Sequence, residues 1–189
     1  MGKTIAFACT CGALRGHLVD ISPAAGTRAL CHCADCRAAE IHASGHDPAP
    51  DPVELFQTTP DRLKIDAGAE HLAAFFLRKP SFLRWYANCC GATLFNSPAR
   101  PTISSLSMQV SRLADAAPLG PVTAEAFVPG AGGKTSHKGL LKFIAAAMMR
   151  IAAARISGRW RQTPLFDAKG QPVAVPERLT EAELAALPS

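Results

Sequence analysis

The sequence of 189 residues predicts a mainly β domain with a C-terminal α-helical extension, and three observations carry that reading. Short apolar or alternating runs recur about every ten residues from Ile5 to Gln109, a spacing that favours many short strands over alternating β/α units. Past the break at Pro129-Gly130-Ala131-Gly132-Gly133 the apolar period lengthens to that of a helix. Seven cysteines stand in three tight clusters, the pattern expected where metal staples the ends of hairpins together. The division that follows is a β domain over residues 1–130 and, over 131–189, a basic helix with a Pro-containing tail.

Ile5, Phe7 and Cys9 alternate into a first strand, Gly12 supplies a turn, and Ala13–Leu18 returns, so Cys9 and Cys11 sit at a hairpin tip. Ile21–Thr27, with Pro23 and Gly26, reads as a loop leading to Cys31, and Ala38–His42 as a turn of helix. Ala43–Pro52 carries Gly45, Pro48, Pro50 and Pro52 and is a loop. Val53–Gln57 and Arg62–Ile65 are strands on either side of the turn Thr59-Pro60-Asp61. Ala74–Leu77, Phe82–Tyr86, Gly91–Phe95 and Thr102–Gln109 complete the series.

In the extension, Leu140, Ile144, Met148 and Ile151 fall on one helical stripe with Lys138, Lys142 and Arg150 opposite. Ser136 is expected to cap the start of this helix and Gly158 its end. Thr180 and Glu183 make a capping box for a short terminal helix.

A hydrophobic fraction of 48% and a charged fraction of 19% argue against disorder. The net charge of +5 is local: no acidic residue lies between Glu125 and Asp167, a stretch that contributes +7, so the remainder sums to −2. The apolar stripe of the helix, within residues 137–157, is expected to pack on the β core or to join two copies as a homo-oligomer. A peripheral contact with an anionic membrane or an acidic protein is the second reading. Nucleic acid is not expected, because no stacking platform accompanies the basic run. The start, MGKTIAFACT, has no long apolar run, so no secretory leader is expected. The apolar stretch Phe143–Met149 stops at Arg150, far short of the roughly 20 residues of a membrane span. A cytoplasmic protein is the expectation, and there cysteines serve as thiolates more often than as disulfides.

The clusters are Cys9-Thr10-Cys11-Gly12, Cys31-His32-Cys33-Ala34-Asp35-Cys36-Arg37 and Cys89-Cys90-Gly91. Paired cysteines from the first and third would close one four-thiolate zinc site, and Cys31, Cys33 and Cys36 would leave a second zinc with an open position. Such a zinc binds an outside thiol and holds it deprotonated, which suits chemistry at a substrate's own sulfur. Buried free thiols, a disulfide, an iron–sulfur cluster, a redox pair at Cys33 and Cys36, and a vicinal disulfide at Cys89–Cys90 are the competing uses of these residues.

The C-x-C-G element at Cys9, the C-H-C-x-x-C-R run at Cys31 and the late C-G-x-x-L-F at Cys90 resemble the glutathione-dependent formaldehyde-activating enzyme family, whose domain is shared with centromere protein V. The resemblance spans roughly residues 5–130. It implies a small β tent of zinc-stapled hairpins, with Cys9, Cys11 and Cys90 in a structural four-cysteine zinc site. It also implies a labile zinc on Cys31, Cys33 and Cys36, which become the catalytic residues of a carbon–sulfur lyase acting on glutathione or another thiol adduct. Arg37 is then assigned either to a carboxylate of glutathione or to a structural ion pair.

The family's last element reads F-C-x-x-C-G, whereas here it is Tyr86-Ala87-Asn88-Cys89-Cys90-Gly91, with Ala87 at the first cysteine position. Neighbours on a strand point to opposite faces, so Cys89 joins Cys90 only if a turn bends them together. Otherwise Cys89 completes and closes the middle cluster. Ala38-Ala39-Glu40 also lack the family's usual lysine and Thr/Ser-Gly. His32 and Asp35 are expected to face solvent or bond the backbone. The rival function is a non-catalytic zinc-stapled binding module that recruits an acidic partner or membrane surface through its basic helix. A redox or metal-buffering thiol protein is a third reading.

Overall fold

The computed structural model describes residues 2–188, and the alternating runs sort into two sheets. The first hairpin, β1 (Lys3–Ala8) and β2 (Arg15–Ile21), is joined by β5 (Leu63–Ala67) in a three-stranded antiparallel sheet. The second sheet has nine strands. In spatial order they are β11 (Thr135–Lys138), β10 (Val122–Pro129), β3 (Thr27–Cys31), β4 (Val53–Thr58), β9 (Leu106–Gln109), β8 (Ala92–Pro98), β7 (Phe82–Ala87), β6 (Leu72–Phe76) and β12 (Glu177–Arg178). Its pairings are antiparallel except β3 with β10 and β6 with β12. The protein is mainly β, with three α-helices among the described residues: α1 (Ala34–Ser44), α2 (Leu140–Ile156) and α3 (Glu181–Ala185).

Strand alternation turns one side chain in two toward the space between the sheets. Phe7, Leu18 and Leu63 from the first sheet meet Phe56, Trp85, Phe95 and Leu106 from the second, all buried. Phe7 stands edge-on to Phe95 with ring centroids 6.4 Å apart. Trp85 keeps its one polar atom satisfied, since its Nε1 donates to Ser97 Oγ at 2.9 Å. The last third of the chain is fastened to this core at both sheet edges. β11 pairs with β10, β12 pairs with β6, and Phe166 packs edge-on to Trp85 at 6.3 Å.

Four local expectations are corrected. Thr27–Cys31 is a strand, not the end of a loop; its neighbour β10 pairs Ala124 with Ala29 in parallel, a contact that no local pattern announces. Helix α1 begins at Ala34 rather than Ala38, because Cys33 caps it and places Cys36 and Arg37 in its first turn. Residues 122–138 form β10 and β11, and Ser136 lies in β11. The residue before α2 is Gly139, whose φ of +66° and whose closeness to Thr123 O (2.2 Å from a built Cβ) exclude a side chain. The capping box at Thr180 and Glu183 starts α3 as expected.

The fourth correction is the rotation of α2. The stripe Leu140/Ile144/Met148/Ile151 meets the sheet only in part: Leu140 and Ile151 are half-buried, but Ile144 is 47% exposed and Met148 60%. Phe143, Ala147, Arg150 and Ala154 turn inward beside them, over β3, β4 and β10. Arg150, expected on the solvated back, donates to Thr27 Oγ1 at 2.9 Å and to Gln57 Oε1, and burial pushes its guanidinium below its ordinary pKa. The helix is apolar on almost every side, so hydrophobicity alone does not set its rotation. Small alanines that permit close approach and a polar patch needing a donor do. Among the described residues no helix is long and apolar enough to cross a membrane.

Candidate metal centres

Cys9 follows β1, Cys11 lies in the hairpin turn, and Cys89 and Cys90 lie in the turn between β7 and β8. Folding the two sheets together brings these turns into contact. Cys9 Sγ lies 3.5 Å from Cys11 Sγ and 3.9 Å from Cys89 Sγ, and Cys11 and Cys89 are 3.4 Å apart. The Cys90 sulfur completes a group of four within 4.8 Å of one another. Cys89 and Cys90 share the group because the turn is tight: the N–H groups of Cys90 and Gly91 both donate to Ala87 O, at 3.2 and 2.8 Å. Gly91 has φ +70°, and a Cβ there would stand 2.1 Å from Ala43 O. Backbone donors already favour negative sulfur. Leu14 N–H donates to Cys9 Sγ at 3.3 Å. Burial pushes the Cys90 thiol up, but the N–H groups of Cys11 and Ala92, together with the side chains of Cys11 and Cys9, hold it down at about 6.

Cys31, Cys33 and Cys36 form the second group. Cys31 ends β3, Cys33 is the N-cap of α1, and Cys36 sits in its first turn. Cys31 and Cys33 are 3.3 Å apart at sulfur, Cys36 and Cys31 3.5 Å, and Cys36 N–H donates to Cys33 Sγ at 3.3 Å. The S–H groups of Cys31 and Cys36, and the Arg84 charge, lower the Cys33 pKa. The same sharing raises Cys31, and raises Cys36 together with its burial. No fourth cysteine, histidine or carboxylate joins this group among the described residues. No disulfide joins any of the seven cysteines.

The residues around the second group differ from expectation. His32 and Asp35 do not simply face solvent: His32 Nε2 meets Glu125 Oε1 at 3.1 Å, and Asp35 is gripped by Arg78 and lies 4.0 Å from Arg84. Arg37 is held by Asp47 through two bonds, 2.7 Å from Nε and 2.5 Å from Nη2, and so has its structural ion pair. It also lines, with Cys31, His32, Cys33, Pro50 and Val53, a cleft of about 220 Å³ beside the sulfurs. A cavity of about 710 Å³, bordered by Arg100, Trp160 and Phe166, touches neither cysteine group.

Two residues of consequence have no sequence signal. Arg84 looks like one polar position in an apolar strand, yet its guanidinium is nearly buried beside α1. Glu40 is 6% exposed and receives hydrogen bonds from Thr93 Oγ1 and Gln109 Nε2, docking α1 on β8 and β9.

Fold and sites together define a cysteine-rich, mainly β protein with two sulfur donor groups able to hold a metal ion. The chain belongs to the family DUF6151, a family of unknown function whose profile matches residues 1–177. Comparison with curated proteins gives no match. Among solved structures, a crystal structure of a Rhodobacter sphaeroides protein is similar at 20% identity, over 62% of this chain and 96% of its own, with a TM-score of 0.43.

Proposed function

We propose that the protein holds two zinc ions, a closed structural one on Cys9, Cys11, Cys89 and Cys90 and an open one on Cys31, Cys33 and Cys36, and that the open site works on the sulfur of a thiol adduct. The observation that carries this reading is the second group itself: three converging sulfurs, no fourth donor among the described residues, and a cleft alongside. A tetrahedral zinc with sulfurs at about 2.3 Å separates those sulfurs by about 3.8 Å, close to the spacings in both groups. Four soft donors suit a structural site, and three leave a position for a ligand.

Zinc held by Cys31, Cys33 and Cys36 would supply the affinity that keeps a bound substrate thiol deprotonated. The chain's own residues do the rest. Cys33, at the N-terminus of α1, keeps its negative charge toward the helix dipole and Arg84. Pro50 and Val53 give the cleft apolar walls, and the Arg37–Asp47 pair closes the loop over it. The resemblance to the formaldehyde-activating enzymes supplies the reaction class, carbon–sulfur lyase chemistry on a glutathione-type adduct.

The test is metal analysis and turnover on the full chain. Two zinc ions per chain are expected, and Cys33→Ser should lose one while the fold is kept. Breakdown of the adduct formed from glutathione and formaldehyde should be catalysed by the wild type and not by the variant. Equal turnover by both, or two zinc ions retained in Cys33→Ser, defeats the proposal.

A further inference from the structure

Helix α2 turns its most apolar side to solvent. At 100° per residue, Leu141, Ala145, Met148, Met149, Ala152 and Ile156 fall in an arc of about 100° opposite the buried Ala154. Leu141, Met149 and Ile156 are 83%, 68% and 88% exposed. Lys142 and Arg155 stand at the two rims of the arc, and both are exposed. An ordinary surface helix has the reverse arrangement, with its charged face outward. A contiguous apolar strip of this kind marks a surface that something covers.

Charge decides between the covers. From residue 126 to 166 the chain has seven basic and no acidic residues. Lys138 pairs with Glu125 at 3.5 Å and Arg159 with Asp61 at 2.9 Å, while Lys142, Arg155 and Arg161 make no ion pair among the described residues. Two copies joined through this face would bring their Lys142 and Arg155 rims together, with no carboxylate in the segment to offset them. A surface of lipid phosphates complements both features: the apolar arc sinks to the headgroup boundary and the basic rims meet the phosphates. Trp160, just past the helix, has the guanidinium groups of Arg155 (4.9 Å) and Arg161 (4.5 Å) over its ring and is a residue type enriched at bilayer interfaces.

We infer that α2 is a docking helix that lies flat on an anionic lipid surface through Leu141, Met148, Met149 and Ile156. This role is independent of the cysteine groups and of the chemistry proposed for them.

The experiment is co-sedimentation of the full-length protein with vesicles of phosphatidylcholine alone and of equal parts phosphatidylcholine and phosphatidylglycerol. Binding to the anionic vesicles is expected, at least about ten-fold tighter than to the neutral ones and weakened by salt. Leu141→Glu and Met148→Glu should each reduce it by about ten-fold or more. Val175→Glu, at an exposed valine outside the helix, should leave it unchanged, as should Cys33→Ser. Equal affinity for both vesicle types overturns the inference. So does a self-association in sedimentation equilibrium that Leu141→Glu abolishes, which assigns the face to a second copy. A monomer that ignores both vesicle types overturns it as well and leaves the face to a protein partner.

Discussion

The sulfurs of Cys9 and Cys89 lie 3.9 Å apart across a sequence separation of 80 residues, while Ala87, two places before Cys89, is fully buried in β7. The third cysteine pair therefore stands in the turn after β7 and not on the strand itself. Both of its sulfurs reach the first group, because the turn at residues 88–91 bends Cys89 and Cys90 to the same side. It also keeps Cys89 away from the middle cluster, which retains three sulfurs.

Cys89→Ser should remove one metal ion per chain and destabilise the protein by about 3 kcal/mol, as loss of a structural metal link does. For a chain of this size that lowers Tm by roughly 6–12 °C. Adding Ala87→Cys should not restore either property, because position 87 is enclosed between Leu72 and Ala92 in the sheet. Metal content by mass spectrometry and a thermal scan check both; unchanged metal in Cys89→Ser would remove Cys89 from the ligand set.

At Cys33, ligand and helix cap are one residue, and two substitutions separate the roles. Serine keeps an acceptor for Cys36 N–H but is a poor soft-metal ligand; alanine loses both functions. Each variant should lose the metal of the second group, and alanine should be less stable than serine by about 1 kcal/mol. Urea denaturation of the two variants measures the difference. Equal stabilities would mean that the cap contributes nothing.

Glu40→Ala leaves Thr93 Oγ1 without its buried acceptor and Gln109 Nε2 with Thr93 Oγ1 alone, at an expected loss of about 2 kcal/mol. Glu40→Gln keeps a carbonyl acceptor and should lose about 1 kcal/mol. Because Glu40 anchors the helix that carries Cys36, the alanine variant should also bind less metal at the second group. A fully stable alanine variant would show that α1 is held by its apolar contacts alone.

The loop carrying Asp47 should be sensitive to acid. The Arg37 guanidinium beside Asp47 and the Ala49 N–H hold its carboxyl at about 2, below the ordinary value of 3.8. A pKa lowered by folding means that the ion pair contributes fully above about pH 4 and is lost as pH falls toward 2. Both groups are exposed, so the consequence is loosening of the loop beside the cleft rather than unfolding. Arg37→Ala should return the Asp47 pKa toward 3.8 in a carboxyl NMR titration; an unmoved value would place its cause elsewhere.

Most of the fold was legible because it is local. The hairpin ending in Cys9 and Cys11, the strands from Val53 to Gln109, the helix after residue 139 and the Thr180 capping box all follow from near-neighbour pattern. Helix α1 was legible only in its second half, because its first turn is built of metal-type ligands rather than an apolar period. β3 and β10 were not legible as partners, since a parallel pair carries no turn that declares it.

Cysteine number, softness and clustering were written in the chain, and with them the chemistry that those residues can support. Their division into four and three was readable as well, except for the place of Cys89; that placement, the ion pairs of Asp35 and His32, and the outward apolar face of α2 came from folding. Spacing reports what a residue can do within a few turns of chain. Which sulfurs converge, and which side of an all-round apolar helix meets the sheet, depends on surfaces brought together from some eighty residues away.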